Sequence, residues 1–264
     1  MSKTIIEMNQ EAWDKVSEAH YHYFKEALKD PQFKLNPLVD QEIGDLSGKR
    51  VFHLQCNTGA DSIFFARKGA EVVGVDFSFQ NVKYAKMLAD DFQIPKLTFI
   101  QSDVLTLDQH NLGTFDLIIS TDGVLGWIPD LIKWGKIVHH FLAPDGEVFL
   151  HDSHPTMMIF DEDALPKGQL IPKYPYFDSQ VEKSNEIGGY ASESKEAENY
   201  FYGHQMQTIL NAFIQNDMYL TMFKEHDRCV SGMGGSKKDD SGLMYYPELD
   251  QKIPLVYSLK AKKR

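Results

Sequence analysis

The sequence has little cysteine and no long apolar run, and each shortage excludes a class of protein. Only Cys56 and Cys229 occur, too few for a disulfide framework, a four-cysteine zinc site or a three-cysteine iron–sulfur cluster. Apolar runs such as residues 148–150 have the length of a strand, and none approaches the roughly 20 residues that a membrane span requires. The sequence therefore predicts a globular protein without a membrane partner.

Basic residues are also in the minority, because 27 Lys and Arg face 38 Asp and Glu and leave a formal net charge of −11. A nucleic-acid backbone is bound by clustered Lys and Arg, so this balance disfavours nucleic acid as a partner. We interpret the basic run at residues 260–264 as a solvated tail. Residues 1–15 are polar and acidic and lack the basic start and apolar middle of a secretory signal, which predicts a cytoplasmic protein.

Short apolar segments that alternate with helical ones dominate the first 150 residues. Continuous apolar strands, such as residues 116–119, are typical of a parallel sheet that is covered on both faces. Ligands of such sheets bind beyond the carboxyl ends of the strands. The predicted strands are 50–54, 71–75, 97–100, 115–120 and 147–151, and the predicted helices are 9–28, 61–67, 81–90 and 131–142, the last one capped by Asp130.

The chain changes character after Pro155. We predict an irregular insertion over residues 155–200 that has room for a short hairpin, and a flexible glycine-rich loop over residues 232–242. A helix at 204–216, a strand at 218–223 and a last strand at 253–259 complete the predicted elements. The last strand should be antiparallel, because no crossover helix precedes it.

The first two strands carry a nucleotide-binding arrangement. A tight turn at residues 55–59 follows the first strand and opens a helix, and Asp76 ends the second strand. Backbone N–H groups of such a turn approach the ligand, and a carboxylate at the next strand tip can accept bonds from both ribose hydroxyls. Folds that bind nicotinamide cofactors and folds that bind S-adenosylmethionine (SAM) share this arrangement.

Further motifs in a fixed order make the chain resemble the class I SAM-dependent methyltransferases. The resemblance covers residues 49–153 and, more loosely, 204–262. It implies a doubly wound, mostly parallel, seven-stranded α/β sheet with an antiparallel C-terminal strand pair, and SAM as the cofactor. The motifs are the loop with His53, Gln55, Asn57 and Gly59, then Asp76-Phe77-Ser78, Gln101-Ser102-Asp103-Val104, Phe115-Asp116-Leu117-Ile118 and the turn Leu142-Ala143-Pro144-Asp145-Gly146.

The resemblance also implies roles for individual residues. Asp76 would bind the ribose, Asp103 the adenine amino group, and Phe77 would flank the adenine. Ordinary structural roles stay open for these residues. Asp103 could form a turn, and Phe77 could be a core residue. Asp76 could cap the helix that follows it, although Ser78 fits that cap better. The full set of expected cofactor residues is His53, Gln55, Cys56, Asn57, Gly59, Asp76, Phe77, Ser78, Asp103, Val104, Ser120 and Thr121.

The first loop departs from the family pattern. Only Gly59 remains of the usual glycines, and His53 replaces the usual acid, which puts the normal anchor of the SAM amino group in doubt. His53 equally suits a core histidine. Asn57 is the best non-glycine residue for a left-handed backbone, and the amide of Gln55 could meet the methionine carboxylate. The chain resembles a branch with a His-x-Gln-Cys loop and a Trp-x-Pro-Asp segment, here residues 127–130.

The acceptor side is less defined by the sequence. His151 and His154 follow the fifth strand and are candidates for a general base, because a neutral imidazole titrates near neutral pH. We do not expect a metal site, because alternation along a strand points these two side chains to opposite faces. The expected acceptor pocket comprises Trp13, Tyr21, Trp127 and His154.

The expected domain organisation is a helical lid at residues 1–40 and a cofactor-binding core at 41–264 with an acceptor-side insertion at about 155–203. The expected reaction is methyl transfer from SAM to a small molecule. The sequence does not decide between a monomer and a homodimer. One alternative is a SAM-binding protein without catalysis. The other is an NAD(P)-dependent oxidoreductase, which predicts a G-x-G-x-x-G loop and a second parallel half that the sequence does not show.

Overall fold

A seven-stranded sheet forms the centre of the computed structural model, which describes residues 3–33, 36–178 and 181–264. The described strands in chain order are β1 (Arg50–Leu54), β2 (Glu71–Asp76), β3 (Leu97–Gln101), β4 (Phe115–Thr121), β5 (Leu142–Ser153), β6 (Val181–Ile187), β7 (Lys195–Tyr202), β8 (Met218–His226), β9 (Lys237–Lys238), β10 (Met244–Tyr245) and β11 (Val256–Lys263). The central sheet has the order β3-β2-β1-β4-β5-β11-β8.

The topology of this sheet confirms the predicted fold class. Strands β1 to β5 pair in parallel, and β11 pairs antiparallel with both β5 and β8. The antiparallel closure rules out the second parallel half that the oxidoreductase alternative predicts. The strand order reverses between β1 and β4, so the carboxyl ends of these strands border the crevice where ligands of such sheets bind.

Helices cover both faces of the sheet. They are α1 (Ile5–Ala27), α2 (Pro37–Ile43), α3 (Ala60–Arg67), α4 (Phe79–Asp91), α5 (Leu131–Phe141) and α6 (Met206–Ile214). Adjacent strand residues point to opposite faces. Val51 accordingly packs in the core beneath α2 and α3, whereas Phe52 packs in the larger core beneath α5 and α6. None of the helices in the described part of the chain is both long and apolar enough to cross a membrane.

Two helix starts differ from the sequence expectation. Helix α1 begins at Ile5 rather than Asn9, because Thr4 and Glu7 form a reciprocal capping box at its N-terminus. No element was predicted over residues 37–43, which form α2, whose first position is Pro37 and whose cap is Asn36. Proline is tolerated at a first helical position because the N–H that it lacks would be unpaired there.

The strand boundaries in the second half also needed correction. The last strand is Val256–Lys263 rather than 253–259, since pairing with β5 and β8 sets its ends. The predicted loop at 232–242 contains β9, which pairs with β10. The predicted turn before the fifth strand lies within β5, where the pairing with β4 jumps from Leu142 to Glu147 and leaves residues 143–146 as a bulge.

Helix α1 and the β6–β7 hairpin pack against each other at the carboxyl edge of the sheet. The hairpin lies in the predicted insertion and confirms that this insertion contains a short hairpin. The Asn9 amide group donates to the Tyr200 carbonyl and accepts from the Tyr200 N–H, at 2.8 and 2.7 Å. Val16 packs with Ile187 and Ala197. The other side of α1 contacts α4.

Candidate functional site

A cavity with about 500 Å³ of empty space, part of it open solvent, lies beyond the carboxyl ends of β1, β2 and β3. Six of the residues expected at the cofactor or the acceptor line it, namely Gln55, Asp76, Phe77, Asp103, Val104 and Trp127. The remaining lining residues are Ile6, Asn9, Val75, Ser102, Leu105, Ile128, Pro129 and Tyr202. The structure therefore brings residues that are distant in the sequence together in one mostly apolar cavity. The first and the last of them, Ile6 and Tyr202, lie 196 positions apart.

Asp76 lies at the tip of β2 and contacts the first loop while it lines the cavity. Its Oδ2 accepts the Asn57 backbone N–H at 2.8 Å, and its Oδ1 accepts from the Ser78 N–H and the Asn81 amide at 2.9 and 3.1 Å. Burial raises the pKa of Asp76 to about 6, although these donors oppose the rise. A carboxylate has about four acceptor positions, and these three donors leave about one of them for a hydroxyl group of a ligand.

The first loop has the backbone geometry that brings N–H groups close to a ligand. Asn57 has a φ of +49°, which confirms the predicted left-handed conformation, and Gln55 adopts it as well at +55°. Gly59 has a φ of +79°, and a Cβ there would lie 2.6 Å from the Phe99 ring. The Gln55 amide donates to the Val124 carbonyl at 3.0 Å, and its Oε1 is buried without a hydrogen-bond partner.

Two residues of the second and third motifs serve as caps. Ser78 caps α4 by accepting the Asn81 N–H at 2.9 Å, and its side chain does not line the cavity. Asp103 caps the short 3-10 helix Val104–Gln109 by accepting the Leu105 N–H at 2.9 Å. Unlike Ser78, Asp103 lines the cavity as well, so a cap and a ligand contact are compatible in this one side chain.

His53 and Cys56 are buried in the core and do not line this cavity. The His53 Nδ1 is bonded to the Ser62 hydroxyl at 2.8 Å, and its ring packs edge-on against Phe65. Burial lowers the pKa of His53 to about 3, so the imidazole is neutral. Cys56 packs in a small core with Phe99, and burial raises the pKa of its thiol well above the usual range. The expectation of cofactor contact is thus corrected for both side chains.

The two histidines of β5 do not reach the cavity. His154 donates from Nε2 to Glu225 at 3.0 Å and accepts the Thr156 N–H at Nδ1, which leaves its ring without a free lone pair. His151 is fully buried, and its Nδ1 is bonded to the Ser258 hydroxyl at 2.9 Å. Neither position suits a general base for a ligand in the main cavity. The two rings contact different neighbours, as the alternation along a strand predicted.

Two expected acceptor residues of α1 have different surroundings. Trp13 packs edge-on against Trp127 at 5.3 Å between ring centres, directly beside the cavity. Tyr21 packs on Tyr84, and its hydroxyl donates to Asp91, which places it between α1 and α4. The assignment of Tyr21 to the acceptor pocket is corrected accordingly, because helical periodicity does not distinguish the two faces of an aromatic-rich helix.

A buried polar cluster links α1, the first loop and the insertion. The Asn57 amide donates to the Tyr190 hydroxyl at 3.1 Å, and the His20 Nδ1 lies 3.3 Å from the same hydroxyl. Burial lowers the pKa of His20 to about 4, so this imidazole is neutral as well. The sequence analysis missed both His20 and Tyr190, since neither lies in a motif.

A second cavity, too narrow to hold a water molecule, lies between α2, α3 and the end of β4. It is lined by Asn36, Val39, Asp61, Phe64, Phe65, Thr121 and Asp122. Thr121 was expected at the cofactor and bonds to Asp61. Ser120 was also expected there, and its hydroxyl is buried without a partner. Among the described residues, no group of three or more His, Cys, Asp or Glu side chains is arranged to hold a metal ion.

Comparisons with known proteins agree with this fold and site. A family model described as a methyltransferase domain matches residues 45–226. A ubiquinone biosynthesis O-methyltransferase from Acinetobacter baylyi is 28% identical over 123 residues, which are 45% of this chain and 51% of that protein. The chain thus spans about half the length of the first curated relatives that it matches.

Solved structures share the fold at low sequence identity. A SAM-dependent methyltransferase from Mesorhizobium loti has a TM-score of 0.58 and 19% identity, covering 86% of this chain and 96% of that one. The magnesium protoporphyrin IX methyltransferase from Synechocystis PCC 6803, with bound S-adenosylhomocysteine (SAH), has a TM-score of 0.50 and 19% identity, covering 94% and 84%.

The sheet order, the cavity at its switch point and the family match define the class. The chain belongs to the methyltransferase-domain family, because the family model covers more than half of it. SAM is the cofactor of this class.

Proposed function

We propose that this chain transfers the methyl group of SAM to a small-molecule acceptor. The observation that carries the proposal is the main cavity, where the loop residue Gln55 and the strand-tip carboxylates Asp76 and Asp103 meet at the carboxyl edge of the sheet. Its lining, mostly apolar with a few convergent polar groups, is typical of a site for a small molecule.

The residues present fit the adenosine part of the cofactor. Asp76 retains about one acceptor position for a ribose hydroxyl, and Asp103 can accept from the adenine amino group while it caps its own helix. Phe77 and Val104 supply the apolar walls for the adenine ring. The buried, unpartnered Oε1 of Gln55 supports a polar ligand beside the loop, because an orphaned buried acceptor costs free energy until a donor reaches it.

When bound, SAM supplies an activated methyl group on a sulfonium, which an acceptor nucleophile displaces in line. The protein therefore has to orient the two reactants and exclude water. We propose that Trp13, Trp127 and Tyr202 wall the acceptor side. Neither His151 nor His154 is included as a base, because both point away from this cavity.

We propose that α1 and the insertion enclose the acceptor as a lid. Support comes from the direct Asn9–Tyr200 bonds, from the bond between the Gln10 amide and the Phe77 carbonyl, and from the Asn57–Tyr190 bond. Enclosure on these two sides favours a small acceptor over a macromolecule. Two similar proteins are named for the small molecules ubiquinone and magnesium protoporphyrin IX, which supports the same acceptor class.

Calorimetry tests the proposal. The wild-type protein should bind SAM and SAH and should not bind NAD or NADP, and SAH should form from SAM when a panel of small phenols, amines and thiols is supplied. Asp76→Ala should abolish most of the binding, whereas Asp145→Ala, which alters an exposed carboxylate in the bulge of β5, should not. A preference for nicotinamide cofactors would overturn the proposal, and SAH binding without turnover of any acceptor would favour the non-catalytic alternative.

A further inference from the structure

The tip of the β6–β7 hairpin, residues 188–194, reaches the first loop through one side chain. Tyr190 lies in this tip, 133 positions away from Asn57 in the sequence. The Asn57 amide donates to the Tyr190 hydroxyl at 3.1 Å. A hydrogen bond therefore joins the acceptor-side insertion to the loop that ends β1.

Packing on several sides holds the Tyr190 ring in place. The ring lies 4.7 Å from the His20 ring of α1, measured between ring centres. On another side the glycine-rich loop approaches closely, because a Cβ added at Gly232 would lie 2.5 Å from the Tyr190 Cβ. Tyr190 also packs against the small core that contains Ile63 and Phe24. Three separate segments therefore determine where the hydroxyl group lies.

The Tyr190 hydroxyl has both a donor and an acceptor within the protein. Burial, together with nearby carboxylates, raises the pKa of this hydroxyl further above its usual range, so it keeps its proton. The neutral His20 offers Nδ1 as an acceptor 3.3 Å away. The hydroxyl thus accepts from the Asn57 amide and donates to His20, which fixes the direction in which the Asn57 amide group points.

Asn57 connects this contact to the main cavity. Its φ of +49° is unfavourable for a residue with a Cβ, and asparagine tolerates it because its amide forms local bonds. The Asn57 Oδ1 accepts the Thr58 N–H at 2.7 Å, while the other end of the amide is held by Tyr190. In this conformation the Asn57 backbone N–H donates to Asp76, which lines the cavity.

We propose that Tyr190 is a positioning residue that couples the order of the insertion to ligand binding in the main cavity. The proposal rests on the proposed function. While the hairpin tip contacts the first loop, the Tyr190 hydroxyl holds the Asn57 amide, and the Asn57 N–H holds Asp76. Coupling between two sites is reciprocal, so a ligand bound at Asp76 stabilises the contact between the tip and the loop. The insertion therefore supports cofactor binding as well as the acceptor side.

Tyr190→Phe tests the proposal, because it removes one oxygen atom and keeps the ring that packs on His20. SAH affinity, measured by calorimetry, should fall about threefold to tenfold, as expected for the loss of one hydrogen bond between neutral groups. Tyr174→Phe is the matched control, since Tyr174 lies in the same insertion and its hydroxyl bonds to the exposed Glu162 at 3.3 Å. This control should bind SAH as the wild type does.

A double-mutant cycle separates positioning from a general loss of stability. Asn57→Gly removes the amide and introduces a residue that readily adopts a left-handed backbone. In the Asn57→Gly background, Tyr190→Phe should change SAH affinity less than twofold, because the hydroxyl then has no amide to hold. The proposal is overturned if Tyr190→Phe weakens SAH binding by the same factor in both backgrounds, or leaves it unchanged in the wild-type background.

Hydrogen exchange at the hairpin tip gives a second readout. In the wild type, saturating SAH should slow exchange of residues 188–194 at least threefold, and in Tyr190→Phe this protection should be lost. Exchange at the wild-type tip that does not respond to SAH would overturn the proposal, and this measurement needs no variant to fold. Absence of SAH binding to the wild type would instead overturn the proposed function itself.

Discussion

The two cavities at the carboxyl edge differ in how the protein treats a buried carboxylate. Asp76 in the main cavity receives two backbone N–H groups and one side-chain amide, whereas Asp61 in the second cavity receives only the Thr121 side chain. Burial raises both pKa values, but to about 6 for Asp76 and to about 7 for Asp61. The smaller rise at Asp76 follows from its additional donors, because hydrogen bonds to the charged form favour ionisation.

This difference shows how many local donors hold each carboxylate in place. The donors around Asp76 come from Asn57, Ser78 and Asn81, so the carboxylate also holds the first loop in shape without a ligand. The charge of Asp61 has no comparable support within the protein. The part of the main cavity around Asp76 is therefore preorganised by local structure.

The largest effect is expected when the geometry of the shared loop is broken. Gly59→Ala adds a Cβ 2.6 Å from the Phe99 ring at a φ of +79° and should lower the free energy of unfolding by about 2–4 kcal/mol. Gly48→Ala is the control, because Gly48 has a similar φ of +73° with no atom within 4 Å, and its cost should be about 1 kcal/mol.

Urea unfolding of both variants, followed by SAH calorimetry, checks this prediction. Only Gly59→Ala should also weaken SAH binding, because only Gly59 belongs to the first loop, whose residue Gln55 lines the main cavity. Equal losses of stability in the two variants would show that the close approach to Phe99 does not matter.

A smaller effect should distinguish the cavities by pH. The pKa of Asp61 is raised from 3.8 to about 7 in the folded protein, so folded Asp61 keeps a proton that the unfolded chain has lost between these values. Stability from this group is complete below pH 3.8 and is lost as the pH rises through about 7. Relative to wild type, Asp61→Asn should therefore gain about 1–3 kcal/mol between pH 5 and pH 8.

Urea titrations of both proteins at several pH values measure this difference and cancel the contributions of the buried histidines. Asp122 faces the same cavity, so the two carboxyl groups titrate as a pair. If the free energy of unfolding of Asp61→Asn changes with pH as that of the wild type does from pH 5 to pH 8, the raised pKa of Asp61 is contradicted.

The smallest effect concerns the proposed lid of α1 and the insertion beside the main cavity. Backbone amides of residues 9–28 should exchange more slowly, by about threefold to tenfold, when SAH is bound, because local opening of α1 would then expose the ligand. Protection over residues 155–200 should increase further once an acceptor is bound. Strand β8, which lies at the far edge of the sheet, serves as the internal reference. Identical exchange of α1 in both states would remove the lid proposal.

Motif order and local periodicity predicted the main cavity better than the second one. Asp76 and Asp103 end strands whose apolar runs are plain in the sequence, so their meeting at one edge follows from the parallel sheet alone. Asp61 was read only as part of a helix, and Asp122 was not singled out. An acidic residue in the first turn of a helix is common, because it complements the helix dipole, so the sequence offered no reason to single out Asp61.

The sequence by itself determined the alternation of strands and helices, the left-handed Asn57 and the need for Gly59, because these depend on neighbours in the chain and on backbone sterics. Tertiary packing alone decided that His53 turns into the core toward Ser62, that Tyr21 faces α4, and that Asp61 and Asp122 share one cavity. Burial and the pKa of a side chain depend on every element packed around it, and elements distant in the chain contribute most of that environment.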